Sequence, residues 1–268
     1  MTPGLKKRVV VKIGSSSLTS FRGEISRRKL EKLVEEIVQL KDEGHEVLLV
    51  SSGAVAAGYR KLGFTEPPST LSEKQASASI GQILLMEIYS KLFLSHGYVA
   101  SQILITREDL LDENRHNNAR NTINVLLNRG IVPIINENDT VTINRLKFGN
   151  NDVLSAKIAG LIDADMLIIL SDIDGMYNAD PRQKDHAVRL EQVHEISIKI
   201  EEAAGGSGSS VGTGGMKSKI AAFKIAMANG ILSFLGKAGT PNILNDAIHQ
   251  KATGTYFIKH AKVSKTGG

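Results

Sequence analysis

Residues 9–17, VVVKIGSSS, decide the fold. Four apolar residues and one lysine form a short run, and a glycine and three serines follow it. A short run of β-branched residues that does not alternate between apolar and polar positions is typical of a strand buried on both faces of a parallel sheet. Small polar residues directly after it are typical of a loop. The segment therefore predicts a buried strand that ends in a polar loop.

Four further runs have the same character, at 47–50, 99–105, 131–135 and 166–170. Helical patterns separate them. Residues 26–44 carry apolar side chains at helical spacing, with Gly44 where a C′ glycine would end the helix. Ser72 and Gln75 read as a capping box that opens a long helix towards Gly97. Further helices are predicted over 117–129, 152–163 and 216–229.

Alternating strands and helices predict an α/β fold, because parallel strands need crossover connections. We expect a three-layer αβα sandwich around a mainly parallel sheet. The chain has 268 residues, 41% of them hydrophobic and 23% charged, which is ordinary for a globular protein. It has no cysteine, which excludes disulfides and thiolate chemistry. No apolar stretch is long enough for a membrane helix or a signal peptide, so we expect a cytoplasmic protein.

The formal net charge is +5, which leaves two classes of partner open: a small anionic substrate or nucleic acid. The basic residues fall in short groups with acids between them, as on an ordinary mixed surface. Five tyrosines, seven phenylalanines and no tryptophan leave few platforms on which single-stranded bases could stack. We therefore expect no nucleic-acid partner and no membrane partner.

Polar residues follow four of the predicted strands, at 14–17, 51–53, 136–139 and 171–172. Ligands of open α/β sheets bind at the carboxyl ends of the strands. Each group alone could be an ordinary turn, since Ser, Asn, Asp and Gly are turn formers. Four such groups together predict a site along this edge of the sheet.

Lys12 interrupts an apolar strand, where an unpaired ammonium would be costly to bury. It is either an edge lysine that reaches solvent or a cation that meets anionic oxygens at the site. Lys219, in the first turn of a predicted helix, could supply a second cation. Asp152 could be the anion between them, although capping its own helix is an equally simple role.

Residues 205–215 contain six glycines in eleven positions, directly before the predicted helix at 216–229. Such a segment is either a flexible linker or an anion-binding loop at a helix N-terminus. The Walker A motif, the dinucleotide fingerprint and the serine-hydrolase elbow are absent from the sequence. The histidines show no metal-ligand spacing, so we predict no protein-bound metal. Two lysines, a glycine loop, hydroxyls and carboxamides suit phosphoryl transfer to a carboxylate, which needs no deprotonation.

The sequence resembles the amino acid kinase superfamily and, within it, the glutamate 5-kinase family. The matching segments are collinear and span nearly the whole chain: VVVKIGSSSLT from Val9, VSSGAVAAG from Val50, KQASASIGQ from Lys74, IVPIINENDTV from Ile131, FGNNDVLSA from Phe148, LSDIDGMYNADPR from Leu170 and GTGGMKSKI from Gly212. The resemblance implies ATP-dependent phosphorylation of the γ-carboxylate of L-glutamate to L-glutamyl 5-phosphate, the first step of proline biosynthesis. Acetylglutamate kinase and aspartokinase are the alternatives within the same superfamily.

The resemblance also implies residue roles. Lys12, Lys219 and Asp152 match the catalytic positions, with Asp152 orienting the two lysines. The glutamate-binding positions are matched by Ser52, Gly53, Asn136, Asp139 and Asn151, with Asn138 as a neighbour. The ATP-binding positions are matched by Lys12, Ser171, Asp172, Thr213, Gly214, Gly215, Met216, Lys217, Ser218 and Lys219.

ATP and Mg²⁺ are the implied cofactors. A kinase domain over residues 1–257 is expected, whose N-terminal part binds glutamate and whose C-terminal part binds ATP, with a basic tail over 258–268. Many family members carry a further PUA domain, which we do not expect in this chain. The resemblance further implies a homo-oligomer, feedback inhibition by proline, and contact with the reductase that consumes glutamyl phosphate.

Overall fold

The computed structural model describes residues 5–20, 23–142, 151–179, 186–204 and 215–258. Within these residues the strands are β1 (Arg8–Ile13), β2 (Glu46–Ser51), β3 (Ala100–Ile105), β4 (Val132–Glu137), β5 (Met166–Ser171), β6 (Met176–Tyr177), β7 (Arg189–Leu190), β8 (Gln192–Val193), β9 (Leu232–Lys237) and β10 (Thr255–Phe257). The α-helices are α1 (Ser15–Leu18), α2 (Arg27–Asp42), α3 (Ala54–Gly58), α4 (Leu71–Ser95), α5 (Arg107–Leu111), α6 (Glu113–Asn128), α7 (Asn151–Leu161), α8 (Ile198–Ala204), α9 (Met216–Ala228) and α10 (Ile243–Ile248).

The main sheet has the strand order β3-β4-β2-β1-β5-β9-β10-β8 in the described residues, and β6 and β7 pair separately. Neighbouring strands of the main sheet are parallel except β9 and β10. Strand β1 lies at the centre, with Val9 in register with Val47 of β2 and with Met166 of β5. The predicted α/β fold with a mainly parallel sheet is confirmed.

Alternate residues of β1 enter two separate cores, because successive side chains of a strand point to opposite faces. Val9 and Val11 pack in the core beneath α2, α4 and α10, where Leu30, Leu85 and Leu244 are buried. Val10 packs in the core beneath α6, α7 and α9. Lys12, two residues after Val10, therefore points to the face of α7 and α9.

Helix α4 begins two residues earlier than the predicted capping box. Thr70 is the N-cap, its side chain accepts a hydrogen bond from the backbone N–H of Glu73, and the Glu73 carboxylate accepts from the N–H of Thr70. The prediction of Ser72 and Gln75 was therefore wrong in register, because Thr-x-x-Glu and Ser-x-x-Gln overlap here and both fit the pattern. Helix α2 ends as predicted, with Gly44 at φ +91°.

Four other elements differ from the predictions. Strand β3 lies at the sheet edge and is only half-buried, so it is not covered on both faces. Helix α6 begins at Glu113, four residues before the predicted start, because Asp112 caps it by accepting from the N–H of Arg115. Strands β9 and β10 were not predicted. No helix in the described part of the chain is both long and apolar enough to cross a membrane.

Strands β1, β2, β4 and β5 are mutually parallel through the centre of the sheet, so their carboxyl ends lie along one edge. We call this edge the crest. The predicted polar groups follow these four strands and therefore stand along the crest. Of the predicted tail, residues 259–268 lie outside the described residues, as do Thr213 and Gly214 of the glycine-rich loop.

Candidate active site

Lys12 is a buried lysine at the centre of the sheet. It lies in β1, between β2 and β5, and its residue is 4% exposed. Its Nζ lies 2.5 Å from Oδ1 of Asp152 on α7. A buried ammonium is tolerated when it is paired and hydrogen-bonded. The alternative of an edge lysine that reaches solvent does not describe this position.

Asp152 joins the two predicted lysines. Its other oxygen, Oδ2, lies 3.4 Å from Nζ of Lys219 and accepts a hydrogen bond of 2.7 Å from the hydroxyl of Ser218. Asp152 is fully buried and Lys219 is 5% exposed. Lys219 and Ser218 lie in the first turn of α9, which packs against α7. The lysine cluster, which we define as Lys12, Asp152, Ser218 and Lys219, therefore connects residues that are far apart in the sequence.

Burial and the opposite charges nearby have opposing effects on the pKa values of Lys12 and Asp152. Burial lowers the pKa of Lys12, and the nearby ammonium of Lys219 lowers it further, against the attraction of Asp152. Burial disfavours the Asp152 carboxylate, but Lys12, Lys219 and the hydroxyl of Ser218 outweigh that effect, so the pKa of Asp152 is lowered. Two ammonium groups share the Asp152 carboxylate, and the carboxylate of Asp172 also attracts Lys12, so the cluster holds two fixed cations that an anionic ligand could meet.

The N-terminus of α9 adds to this positive potential. Gly215 is its N-cap, and no side chain caps the helix by a hydrogen bond. The first N–H groups of a helix and its dipole both favour an anion. A lysine in the first turn is unfavourable for the same reason, and Asp152 offsets that cost for Lys219. Met216 and Lys217 lie in the same turn.

A second cluster of neutral polar groups lies beside the first one. Nδ2 of Asn151 lies 2.8 Å from Oγ of Ser52, 2.8 Å from Oδ1 of Asn136 and 3.1 Å from the carbonyl oxygen of Ser51. We call Ser52, Asn136 and Asn151 the amide cluster. Because Asn151 directly precedes Asp152 at the start of α7, one helix turn connects the amide cluster to the lysine cluster.

Gly53 and Asp139 flank the amide cluster on two loops. Gly53 is the N-cap of α3. Its φ of +110° is a left-handed backbone conformation that favours glycine. Asp139 is half-buried in the turn after β4, and its N–H donates to the carbonyl of Glu137 at 2.9 Å. The neighbouring Asn138 donates its N–H to the carbonyl of Ile105 at 3.0 Å. These contacts place Asp139 on the loop next to Asn136.

Ser171 and Asp172 lie at the end of β5, adjacent to β1. Ser171 is buried, and its hydroxyl donates to Oδ1 of Asp172 at 2.9 Å. Both residues line a cavity of about 250 Å³ that also contacts Ser17 and Lys237. The cavity places the predicted nucleotide segment at the crest, one strand away from Lys12.

The resemblance implies that Lys12, Ser171, Asp172 and the first turn of α9 bind a magnesium nucleotide. No group of three His, Cys, Asp or Glu side chains in the described ranges could hold a metal ion. Mg²⁺ in nucleotide sites keeps several waters and relies largely on phosphate oxygens. The lysine cluster is suited to anionic oxygens such as those of phosphates.

One polar residue of this region escaped the sequence reasoning. Gln82 of α4 is buried, and its Oε1 accepts a hydrogen bond of 2.9 Å from Nδ2 of Asn136. The available signal was a glutamine between Ala78 and Leu85, on the buried face of a helix. A polar residue at a core position needs a partner, which marks it for attention.

Comparisons with known proteins agree with this geometry. The sequence profile of the amino acid kinase family matches residues 7–235. "Glutamate 5-kinase 2" of Bacillus licheniformis is 72% identical over 256 residues, covering 96% of this chain and 69% of that protein. "Glutamate 5-kinase 2" of Bacillus subtilis is 69% identical, and the match covers 96% of this chain and 70% of that protein. "Glutamate 5-kinase" of Neisseria meningitidis serogroup C is 46% identical, and the match covers 97% of this chain and 70% of that protein.

Solved structures show the same fold at low identity. UMP kinase from Ureaplasma parvum superposes with a TM-score of 0.65 at 17% identity, covering 95% of this chain and 99% of that one. Carbamate kinase from Giardia lamblia gives a TM-score of 0.67, with the same identity and coverage. The profile match and the identity to curated relatives together cover most of the sequence, and so the chain belongs to the amino acid kinase family.

Proposed function

We propose that this protein transfers the γ-phosphoryl group of ATP to the γ-carboxylate of L-glutamate, which yields L-glutamyl 5-phosphate and ADP. The relatives at 46–72% identity bear the name of this activity. The observation that carries the proposal is the pair of lysines, Lys12 and Lys219, held on the two oxygens of one buried carboxylate. Such a pair suits a phosphoryl group in transit between two anions.

The lysine cluster supports the chemistry of transfer. As an oxygen of the acceptor carboxylate approaches the γ-phosphorus, negative charge spreads over the phosphoryl oxygens and the leaving β-phosphate. Two ammonium groups that are already in place stabilise that charge without reorganisation. Asp152 keeps them in position and offsets their repulsion. The acceptor needs no general base, because its carboxylate is ionised at neutral pH.

The amide cluster supports the binding of the acceptor. L-Glutamate carries two carboxylates and one ammonium. The amino group of Asn151 has two hydrogens and three protein acceptors, so one contact can give way to a substrate carboxylate. We assign the substrate ammonium to Asp139, and we assign carboxylate oxygens to Asn151 and to the backbone near Ser52 and Gly53.

The nucleotide is assigned to the other half of the crest. We propose that ATP contacts Ser171, Asp172 and the first turn of α9, with its phosphates at Lys12 and Lys219. The predicted contacts at Thr213 and Gly214 lie outside the described residues and rest on the resemblance. Mg²⁺ would neutralise part of the phosphate charge and is held by the nucleotide and water in this proposal.

The regulatory and partner assignments rest on the resemblance as well. We propose that proline competes with glutamate, that the chain forms a homo-oligomer, and that it contacts the reductase that consumes its product. The reaction is assigned to the cytoplasm, where ATP and glutamate are available. Competition predicts that proline raises the KM for glutamate and leaves kcat unchanged.

The proposed reaction is tested by trapping its product with hydroxylamine. Glutamyl hydroxamate should form when the protein, ATP, magnesium and L-glutamate are all present, and EDTA should abolish it. A panel with N-acetylglutamate, aspartate and UMP, read by ADP release, distinguishes the sister activities of the family. Absence of hydroxamate with L-glutamate, or faster turnover of N-acetylglutamate or aspartate, would contradict the proposal.

A further inference from the structure

Side-chain amides form a line that runs outward from the amide cluster. Nδ2 of Asn151 donates to Oδ1 of Asn136 at 2.8 Å, and Nδ2 of Asn136 donates to Oε1 of Gln82 at 2.9 Å. Nε2 of Gln82 in turn donates to Oε1 of Gln102 at 3.0 Å. We call these four residues the amide relay. It connects α7, β4, α4 and β3.

A backbone group fixes the direction of the relay. Oδ1 of Asn136 also accepts a hydrogen bond of 2.9 Å from the backbone N–H of Glu137, which can only donate. The oxygen of Asn136 must therefore face this donor and Asn151, and its amino group must face Gln82. An acceptor is required at that point, so the oxygen of Gln82 faces Asn136 and its amino group faces Gln102.

Gln82 lies in a closely packed part of α4. It is 8% exposed, whereas Gln102 at the far end of the relay is exposed. The adjacent Gly81 contacts α3 so closely that a Cβ there would lie 1.8 Å from the carbonyl oxygen of Ala54. A Cβ on Gly58 of α3 would likewise lie 1.9 Å from the carbonyl oxygen of Ser77. Helix α4 is thus packed directly against the helix that follows Ser52 and Gly53.

We propose that Gln82 is a positioning residue for the acceptor substrate, which it influences through Asn136 and Asn151. This inference rests on the proposed function. Without the oxygen of Gln82, the buried amino group of Asn136 loses its acceptor, which is costly for a buried donor. The side chain of Asn136 can regain an acceptor only by shifting, and a shift displaces the oxygen that accepts from Asn151. The amide that is to meet the substrate carboxylate would then lose its fixed orientation beside Ser52.

The lysine cluster is not part of this relay, so the predicted effect is selective. The variant Gln82→Met keeps the length of the side chain and removes both polar atoms. Loss of a partner that orients a metal ligand typically weakens binding or activity roughly 10- to 100-fold, and we take that factor as the guide for a partner that orients Asn136. We expect the KM for L-glutamate to rise by about that factor, while kcat and the KM for ATP stay within about threefold of wild type.

Two further variants make the test specific. Gln102→Met removes one neutral hydrogen bond from an exposed residue and leaves the acceptor of Asn136 in place, so the KM for glutamate should rise only about two- to tenfold. Gln39→Met, on the exposed side of α2, should leave every constant unchanged. Gln102→Met also keeps the test decisive if Gln82→Met fails to fold.

The outcomes separate this inference from the proposed function. Hydroxamate formed by the wild type with a selective rise in the KM for glutamate in both relay variants supports the positioning role. Hydroxamate formed by the wild type with an unchanged KM for glutamate in Gln82→Met, or with equal rises in the KM for glutamate and for ATP, overturns the positioning role alone. No hydroxamate from the wild type overturns both.

Discussion

The lysine cluster and the amide cluster meet at one helix start, yet they are built from opposite kinds of groups. Lys12, Asp152 and Lys219 are ions, packed where water has little access. Ser52, Asn136 and Asn151 are neutral and hold one another by hydrogen bonds. Ions act on charge that changes during a reaction, whereas neutral amides fix the orientation of a group whose charge stays the same. In the proposed function, the lysine cluster therefore serves phosphoryl transfer and the amide cluster serves acceptor binding.

The largest effect is expected when Asp152, the anion that both lysines contact, is removed. In Asp152→Ala two buried ammonium groups lose their partner, and breaking a buried ion pair from one side costs about 3–5 kcal/mol. We expect the free energy of unfolding in urea to fall by that amount. Glu87→Ala, which loses an exposed pair with Lys91 within α4, should leave the free energy of unfolding nearly unchanged. Equal losses in the two variants would contradict the role of Asp152.

A lysine of the cluster can be removed with less damage to the fold. Lys12→Ala relieves the repulsion from Lys219 and leaves Asp152 one cation. Loss of one preorganised electrostatic group lowers kcat by roughly 10²–10³-fold. We expect that drop in hydroxamate formation, with the KM for L-glutamate within about threefold of wild type. A large rise in the KM for glutamate with normal kcat would place Lys12 on the acceptor side instead.

The amide cluster should show the reverse pattern. Asn151→Ala removes the hydrogen bond that we propose Asn151 donates to the substrate carboxylate, and a hydrogen bond to a charged group is worth about 1.5–3 kcal/mol. The KM for glutamate should therefore rise roughly 10- to 100-fold in steady-state assays, and kcat should change less. Asn245→Ala, at a half-buried asparagine of α10 that donates to Glu43, serves as the control and should leave both constants unchanged.

Acid titration tests the charge of the lysine cluster, and we expect it to give the smallest effect. The pKa of Asp152 is lower in the folded protein than its ordinary value near 4. Its contribution to stability is therefore fully present above about pH 4 and is lost as the pH falls through the folded pKa. The stability difference between wild type and Asp152→Asn should shrink below pH 4, by at most about 1.4 kcal/mol per pH unit. A difference that stays constant between pH 7 and pH 3 would contradict the lowered pKa.

The parts of the fold that follow simple periodicity were predictable from the sequence. Strand β1 and its neighbours are short apolar runs, and α2 has a regular apolar face. Strand β9 escaped because Ser233 and Gly236 interrupt its apolar residues, and β10 has only three residues. Strand β9 pairs with β5 and β10, and β10 pairs with β9 and β8, so their order depends on pairing that no local pattern contains.

The site was predictable where a residue contradicts its surroundings. A lysine within a strand of valines must have a partner, so Lys12 drew attention to a nearby anion. Gln82 did not point to a partner, because a single glutamine on a helix face is compatible with solvent exposure. Its role depends on the close contact of α3 with α4 and on the backbone N–H of Glu137. These are features of packing rather than of composition.

The most direct test of the central claim is the turnover number of Lys219→Ala at saturating ATP and L-glutamate, with Lys224→Ala as the control. Both lysines lie on α9, but Lys224 pairs with Glu201 at the surface. If paired ammonium groups stabilise the transferring phosphoryl group, kcat of Lys219→Ala falls by roughly 10²–10³-fold and that of Lys224→Ala is unchanged. A folded Lys219→Ala protein with the kcat of the wild type would contradict the claim.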